Sequence, residues 1–218
     1  MVDMKSLEAF ARIQLGQGTT GHGWFHADRV RRMALALAHR EGGNPDFYVV
    51  EAAALLHDVP DRKVCPDSTK AMLLIREALD QAQFSPFQTR HIEEIISGIS
   101  FQGAQVETRM RTLEGKVVQD ADRLDALGAI GIARCFAYGG RHARPIYDPE
   151  QAPVAHANAA AYFSSQGSSI NHFHEKLLLL KDRMQTKNGK AVAENRHRFL
   201  EQYLEQFERE WTSADLPR

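Results

Sequence analysis

Cysteine is scarce in this chain: its 218 residues contain only Cys65 and Cys135, with no Cys-x-x-Cys spacing. That excludes a thiolate zinc site or a dithiol redox motif, and both thiols read as ordinary buried or partly buried side chains. An excess of either charge is missing too, because 27 Lys and Arg against 28 Asp and Glu leave a formal net charge of -1. Such a chain has no broad basic field to draw in a nucleic-acid backbone. A phosphate-bearing partner has to be recognised locally, and a small ligand fits that better than a polymer. No apolar run approaches the roughly 20 residues of a membrane helix, and the first thirty residues lack the basic-then-apolar pattern of a secretory signal. The expected location is the cytoplasm. Alternating apolar and polar residues, fixed-period repeats and low-complexity linkers are also lacking, which argues against strands and repeat arrays.

What is present is apolar residues at helical spacing, 43% of the chain being hydrophobic, enough to bury one core. The pattern predicts helices over about Lys5 to Leu15 and Phe25 to His39, with a glycine-containing loop, Gly16 to Gly23, between them and Gly42 and Gly43 as the stop. Asn44 and Pro45 read as the cap and first position of a helix running through Val50 and Ala54 to His57, which Pro60 ends. Asp67 or Ser68 caps a helix to about Ala82, and Ser85 with Pro86 opens one through Ile99. Phe101 to Arg111 reads as loop. A long helix is predicted over Leu113 to Tyr138, ended by Gly139 and Gly140. Prolines at 145, 149 and 153 break the next stretch, in which Ala155 to Phe163 can form a short helix. Two helices, Ser169 to Met184 and Lys190 to Trp211, complete an all-α bundle in a single domain spanning 1–218.

Polar residues stand where that helical period calls for apolar ones, and an unpartnered charge in a core costs roughly several kcal/mol. His26 shares a face with Val30, Met33 and Leu37; His57 continues the face of Val50, Ala53 and Ala54; Asp122 lies in line with Val118, Ala129 and Ile132. Asp58 follows His57 at a helix end, so an imidazole nitrogen and a carboxylate oxygen can be presented to one point. Two imidazoles and two carboxylates suit a first-row divalent ion with two coordination positions open. Taken singly, each has a plainer reading: a hydrogen-bonded core histidine, a chance His-Asp pair, or a carboxylate paired with Arg123 or Arg134.

The order His26, then His57 and Asp58 in EAAALLHDVPDRK, then Asp122 in KVVQDADRLDALGAIGIAR resembles the H…HD…D signature of the HD-domain metal-dependent phosphohydrolases. GHGWFHADRVRRMALAL, DADRLDALGAIGIARCFAYGG and HFHEKLLLLKDRMQT extend the likeness over most of the chain, to the small bacterial YpgQ-like subgroup. The resemblance implies an HD-domain helical bundle, with a metal-binding core over about 20–140 and extra C-terminal helices over about 169–212. It implies one divalent ion on His26, His57, Asp58 and Asp122, with manganese ahead of magnesium, cobalt, nickel, iron or zinc. Hydrolysis of a nucleotide phosphate ester or pyrophosphate follows from the same likeness, and so does a proton-handling role for Asp61, the acidic residue after the HD pair.

Around that set, His22 rivals His26 but lies in the glycine-flanked loop. Asp125 shares nearly the face of Asp122 and can hold a ligand by hydrogen bonding, whereas Asp120 is expected to point away, to solvent or a basic neighbour. Gly128 and Gly131 read as helix-packing glycines. Arg29, Lys63 and Lys176 are candidates to neutralise phosphate oxygens, and His91 is a substrate-side or structural histidine. His91 is the only histidine between the HD pair and Asp122, where HD relatives that hold two metals use additional histidines, so the resemblance favours a single metal. The expected partner is a small-molecule nucleotide or phosphate ester, with neither nucleic-acid polymer nor membrane, and a homodimer is allowed for. Two other readings stay open, a non-catalytic nucleotide-sensing module and an HD-type iron oxygenase.

Overall fold

A computed structural model describes the chain except residues 17–20, 22, 62, 63, 66, 102, 104, 105, 156–166, 217 and 218. Among the described residues there are helices and no strands, so the fold is all-α. No described helix is long and apolar enough to cross a membrane.

The first two helices, α1 (Met4–Leu15) and α2 (Trp24–Glu41), start close to where the periodicity puts them, α1 behind an Asp3 cap that accepts the Lys5 and Ser6 amides. The third, α3 (Phe47–Leu56), begins later than expected. Asp46, not Asn44, accepts the Tyr48 and Val49 amides, while Asn44 takes a left-handed turn at φ +54°. Its Val49, Val50 and Ala52 to Leu56 are all buried. Complete burial of Leu55 and Leu56 contributes roughly 1.5–3 kcal/mol each, more than the roughly 1 kcal/mol at stake in a cap. Packing therefore fixes the helix end that carries His57.

Helices α4 (Ser68–Gln81) and α5 (Pro86–Gly98) follow the predicted caps, with a reciprocal Ser85–Gln88 capping box on α5. The expected long helix is two: α6 (Leu113–Asp125) and α7 (Gly128–Arg141). Gly128 sits at φ +68°, a backbone region that L side chains rarely adopt, and turns the chain between them. Ala129 and Ile132 therefore leave the face of Asp122. Gly139 and Gly140 do not end α7; at Gly139 a Cβ would fall 2.2 Å from Ser169 Oγ, so its smallness serves packing. The predicted Ser169 to Met184 helix is a short α8 (Ser169–Glu175) followed by two 3-10 turns, and α9 (Lys187–Trp211) closes the chain behind a Thr186 cap. Most of the expected Ala155 to Phe163 helix lies outside the described residues.

Helix α2 packs on α3 and α6, and α9 packs on α6, α7 and α2. Asp120 shows how that last docking is held. Rather than facing solvent it is wholly buried, its carboxylate accepting the Gln185 amide at 3.0 Å, and the Thr186 amide and hydroxyl at 2.8 Å each. Burial pushes its carboxyl above the usual range against those hydrogen bonds. The cause is tertiary: the start of α9 brings its own donors.

Candidate metal centre and cleft

Three elements bring four side chains to one point. His26 enters from the first turn of α2, His57 and Asp58 from the turn that ends α3, and Asp122 from α6. The Nε2 atoms of His26 and His57 are 3.2 Å apart. Asp58 lies 3.4 Å from the first through Oδ2 and 3.5 Å from the second through Oδ1. Asp122 Oδ1 is 3.4 and 3.7 Å from the same nitrogens. His26, His57 and Asp58 each offer a ligand atom within 4.8 Å of the others.

The hydrogen bonds on the far side of each ring decide what these nitrogens present. His57 Nδ1 is 2.8 Å from the Ala54 carbonyl, which can only accept, so Nδ1 carries the proton. His26 Nδ1 is 2.7 Å from Asp125 Oδ2 and donates in the same way. Both Nε2 lone pairs therefore turn inward, toward each other and toward two carboxylates. Acceptors facing acceptors need positive charge among them. The need is felt at His57: burial opposes a charged ring, but Asp58 and Asp122 outweigh it and raise the imidazole to about 9. Burial would raise Asp122, yet the two histidines that face it hold it well below the usual carboxylate range.

Asp125 anchors the centre from behind. Its Oδ1 accepts Arg29 Nε at 2.7 Å, and its Oδ2 accepts Arg29 Nη2 and Arg134 Nη1, each at 2.9 Å, as well as His26. Burial works against its charge, but His26 and Arg29 prevail and keep it well below the usual range. A ring gripped in this way has one tautomer and one orientation.

With Asp122 29% exposed and both histidine side chains 1% exposed, the centre opens at the carboxylates. It opens on a cleft whose lining includes Asp58, Asp61 and Asp122, the cations Arg134, Arg144 and Lys176, and the apolar surfaces of Phe101, Tyr138 and Leu177. Burial pushes the Lys176 ammonium below its usual value, while Asp122, Asp58 and Asp61 pull against that shift.

The other expected site residues divide. Asp61 and Lys176 line this cleft. Arg29 does not: its guanidinium is clasped to Asp125. His91 is brought elsewhere, because its face of α5 meets the cap of α6, with Nε2 2.8 Å from Thr112 Oγ1, in a separate groove with Arg76 and Arg90. Lys63 and His22 lie outside the described residues. Arg144 and His172, which also line the cleft, were missed by sequence reasoning, and Arg134 entered it only as a partner for Asp122, whereas it donates to Asp125. For Arg134 a signal existed, a cation on the small-residue stripe with Gly131 and Cys135; His172 lies in the HFHEKLL segment already noted.

No protein-family model matches the chain. YpgQ of Bacillus subtilis is 36% identical over 222 residues, covering 97% of this chain and 98% of that protein. Among solved structures, a Lactobacillus plantarum protein aligns at TM-score 0.87 with 38% identity, over 98% of this chain and all of that one. A Bacillus thuringiensis HD-superfamily hydrolase aligns at TM-score 0.73 with 41% identity, over 96% of each chain. YpgQ solved in complex with ADP aligns at TM-score 0.75 with 33% identity, over 95% of this chain and 97% of that one.

Proposed function

The chain belongs to the HD superfamily of metal-dependent hydrolases, and on that premise we propose that it hydrolyses a nucleotide or related small phosphate ester. The specific reaction is release of pyrophosphate from a nucleoside triphosphate, with one manganese ion held by His26, His57, Asp58 and Asp122. The observation that carries this reading is the meeting of two imidazole lone pairs with two carboxylates at the edge of a cleft that also presents cations. The donor set fits: mixed nitrogen and oxygen ligands suit a first-row divalent ion, which these four groups would hold while leaving it open to oxygen. When bound, such an ion supplies Lewis acidity and lowers the pKa of a water ligand from about 15.7 towards about 7.

The protein's own groups do the rest. Asp61, on the same turn as Asp58 and lining the same cleft, orients the attacking water and takes its proton. Lys176 neutralises phosphate oxygens as charge builds on them. Asp125 holds the His26 ring so that its lone pair stays directed inward. Phe101, Tyr138 and Leu177 offer apolar surface of the kind that nucleoside pockets use. The ADP bound by the Bacillus subtilis relative supports a nucleotide as the ligand.

The test is metal content by elemental analysis, followed by product analysis with manganese and a panel of deoxynucleoside triphosphates, cyclic nucleotides and monophosphates. One ion per chain and pyrophosphate from triphosphates are expected. Hydrolysis confined to monophosphates or cyclic nucleotides would displace the triphosphate reading, and no hydrolysis at all would end it.

A further inference from the structure

Two guanidinium groups converge on Asp125, and one carboxylate cannot balance both. Arg29 is fully engaged, with Nε and Nη2 on the two oxygens at 2.7 and 2.9 Å. Arg134 reaches Oδ2 alone, through Nη1 at 2.9 Å, and this is its one hydrogen bond among the described residues. Its Nε is buried without a partner. The side chain is 14% exposed and lines the cleft. A guanidinium carries five N–H donors, and buried charged donors are costly to leave unmet. Unused donors of a charged side chain thus stand in the cleft wall. Lys176 is near enough to feel both the charge of Arg134 and the carboxylates of Asp58, Asp61 and Asp122. Arg123 lines the same cleft but is a brace, since it donates to the backbone carbonyls of Arg183 and Thr108.

We propose that Arg134, with Lys176 beside it, seats a phosphoryl group other than the one at the metal centre, so that the site selects ligands with two or more linked phosphoryl groups over monophosphates. This rests on the functional reading above. A single phosphoryl group drawn to the cation at Asp58 and Asp122 leaves Arg134 unmatched, whereas a diphosphate supplies an anion to each. Arg134 would share itself between Asp125 and that second group, in the planar two-pronged manner that arginine uses for phosphate. Arg29, by contrast, is a positioning residue for Asp125 and His26.

Calorimetric titration of the full chain with ADP and with AMP, manganese present, tests this. Wild type should prefer ADP. Arg134→Gln should weaken ADP binding roughly ten- to a hundredfold, leave AMP within about threefold, and so narrow the preference; Arg134→Lys should fall between. Lys176→Gln should narrow it in the same direction, which keeps the test decisive should Arg134→Gln fail to fold. Arg29→Gln should instead weaken manganese binding and lower the melting temperature with the ADP-to-AMP ratio kept. An unchanged ratio in folded Arg134→Gln, or in Lys176→Gln where that variant fails to fold, overturns the assignment and leaves the functional reading standing. Wild type that binds neither nucleotide overturns both.

Discussion

Replacing Asp125 with Asn is a nearly isosteric change that should cost far more than its size implies. The carboxylate accepts four hydrogen bonds, one from His26, two from Arg29 and one from Arg134, and its side chain is 6% exposed. An amide keeps one acceptor atom, turns an NH2 toward groups that only donate, and leaves two guanidinium charges without their counter-ion. Removing one partner of a buried charge pair costs about 3–5 kcal/mol. For a chain of this length each kcal/mol moves the melting temperature by about 2–4 °C, so Asp125→Asn should melt roughly 6–20 °C lower at pH 7. The pH dependence fixes the cause. Because the folded-state pKa of Asp125 is depressed, its contribution is complete above the unfolded value near about 4 and is lost as pH falls through the folded one. The gap between wild type and variant should therefore be widest near neutrality and close on acidification. Manganese affinity should drop about 10–100-fold, as for other groups that orient a ligand from behind. Melting curves by circular dichroism between pH 3 and 8, with a metal titration, make the measurement. A variant melting within about 2 °C of wild type at pH 7, or a gap that grows in acid, would refute this account.

Asp61→Asn should keep the metal but lose most turnover, whereas Asp122→Ala should lose both; steady-state kinetics beside metal analysis separates them, and unchanged turnover removes Asp61 from the chemistry. Asp120→Ala leaves the Gln185 and Thr186 donors buried and unmet, for a loss of roughly 2–4 kcal/mol read from urea unfolding, with metal binding intact. Burial pushes the Cys135 thiol up to about 12. Below that pH it stays protonated, so alkylation of Cys135 at pH 8, followed by peptide mass spectrometry, should be about a thousandfold slower in native than in unfolded protein; comparable rates would contradict the burial.

Much of this molecule is legible in the order of its residues because helix signals are local. Asp67 and Ser85 cap as their chemistry dictates. His26 and His57 show as polar groups on apolar faces, since burying them has no other local justification, whereas Ala129 and Ile132, two of the apolar residues aligned with Asp122, belong to the next helix. What stays hidden is non-local. The break at Gly128 leaves no trace in the periodicity, because glycine in a helix carries a cost of only about 1 kcal/mol and looks tolerable. Asn44 and Asp46 are both good caps, and only the packing of α3 chooses between them. The helical period around Asp120 speaks of its own helix and says nothing of the donors that α9 brings. Arg29 reads as a phosphate ligand because nothing local shows that α2 meets α6, 96 residues on, where Asp125 takes up its guanidinium.

Anomalous diffraction from crystals grown with manganese reaches the central claim most directly. A single peak within bonding distance of His26 Nε2, His57 Nε2 and a carboxylate oxygen from each of Asp58 and Asp122 is the predicted result. A peak elsewhere, or density at this point that bypasses either histidine, would contradict it.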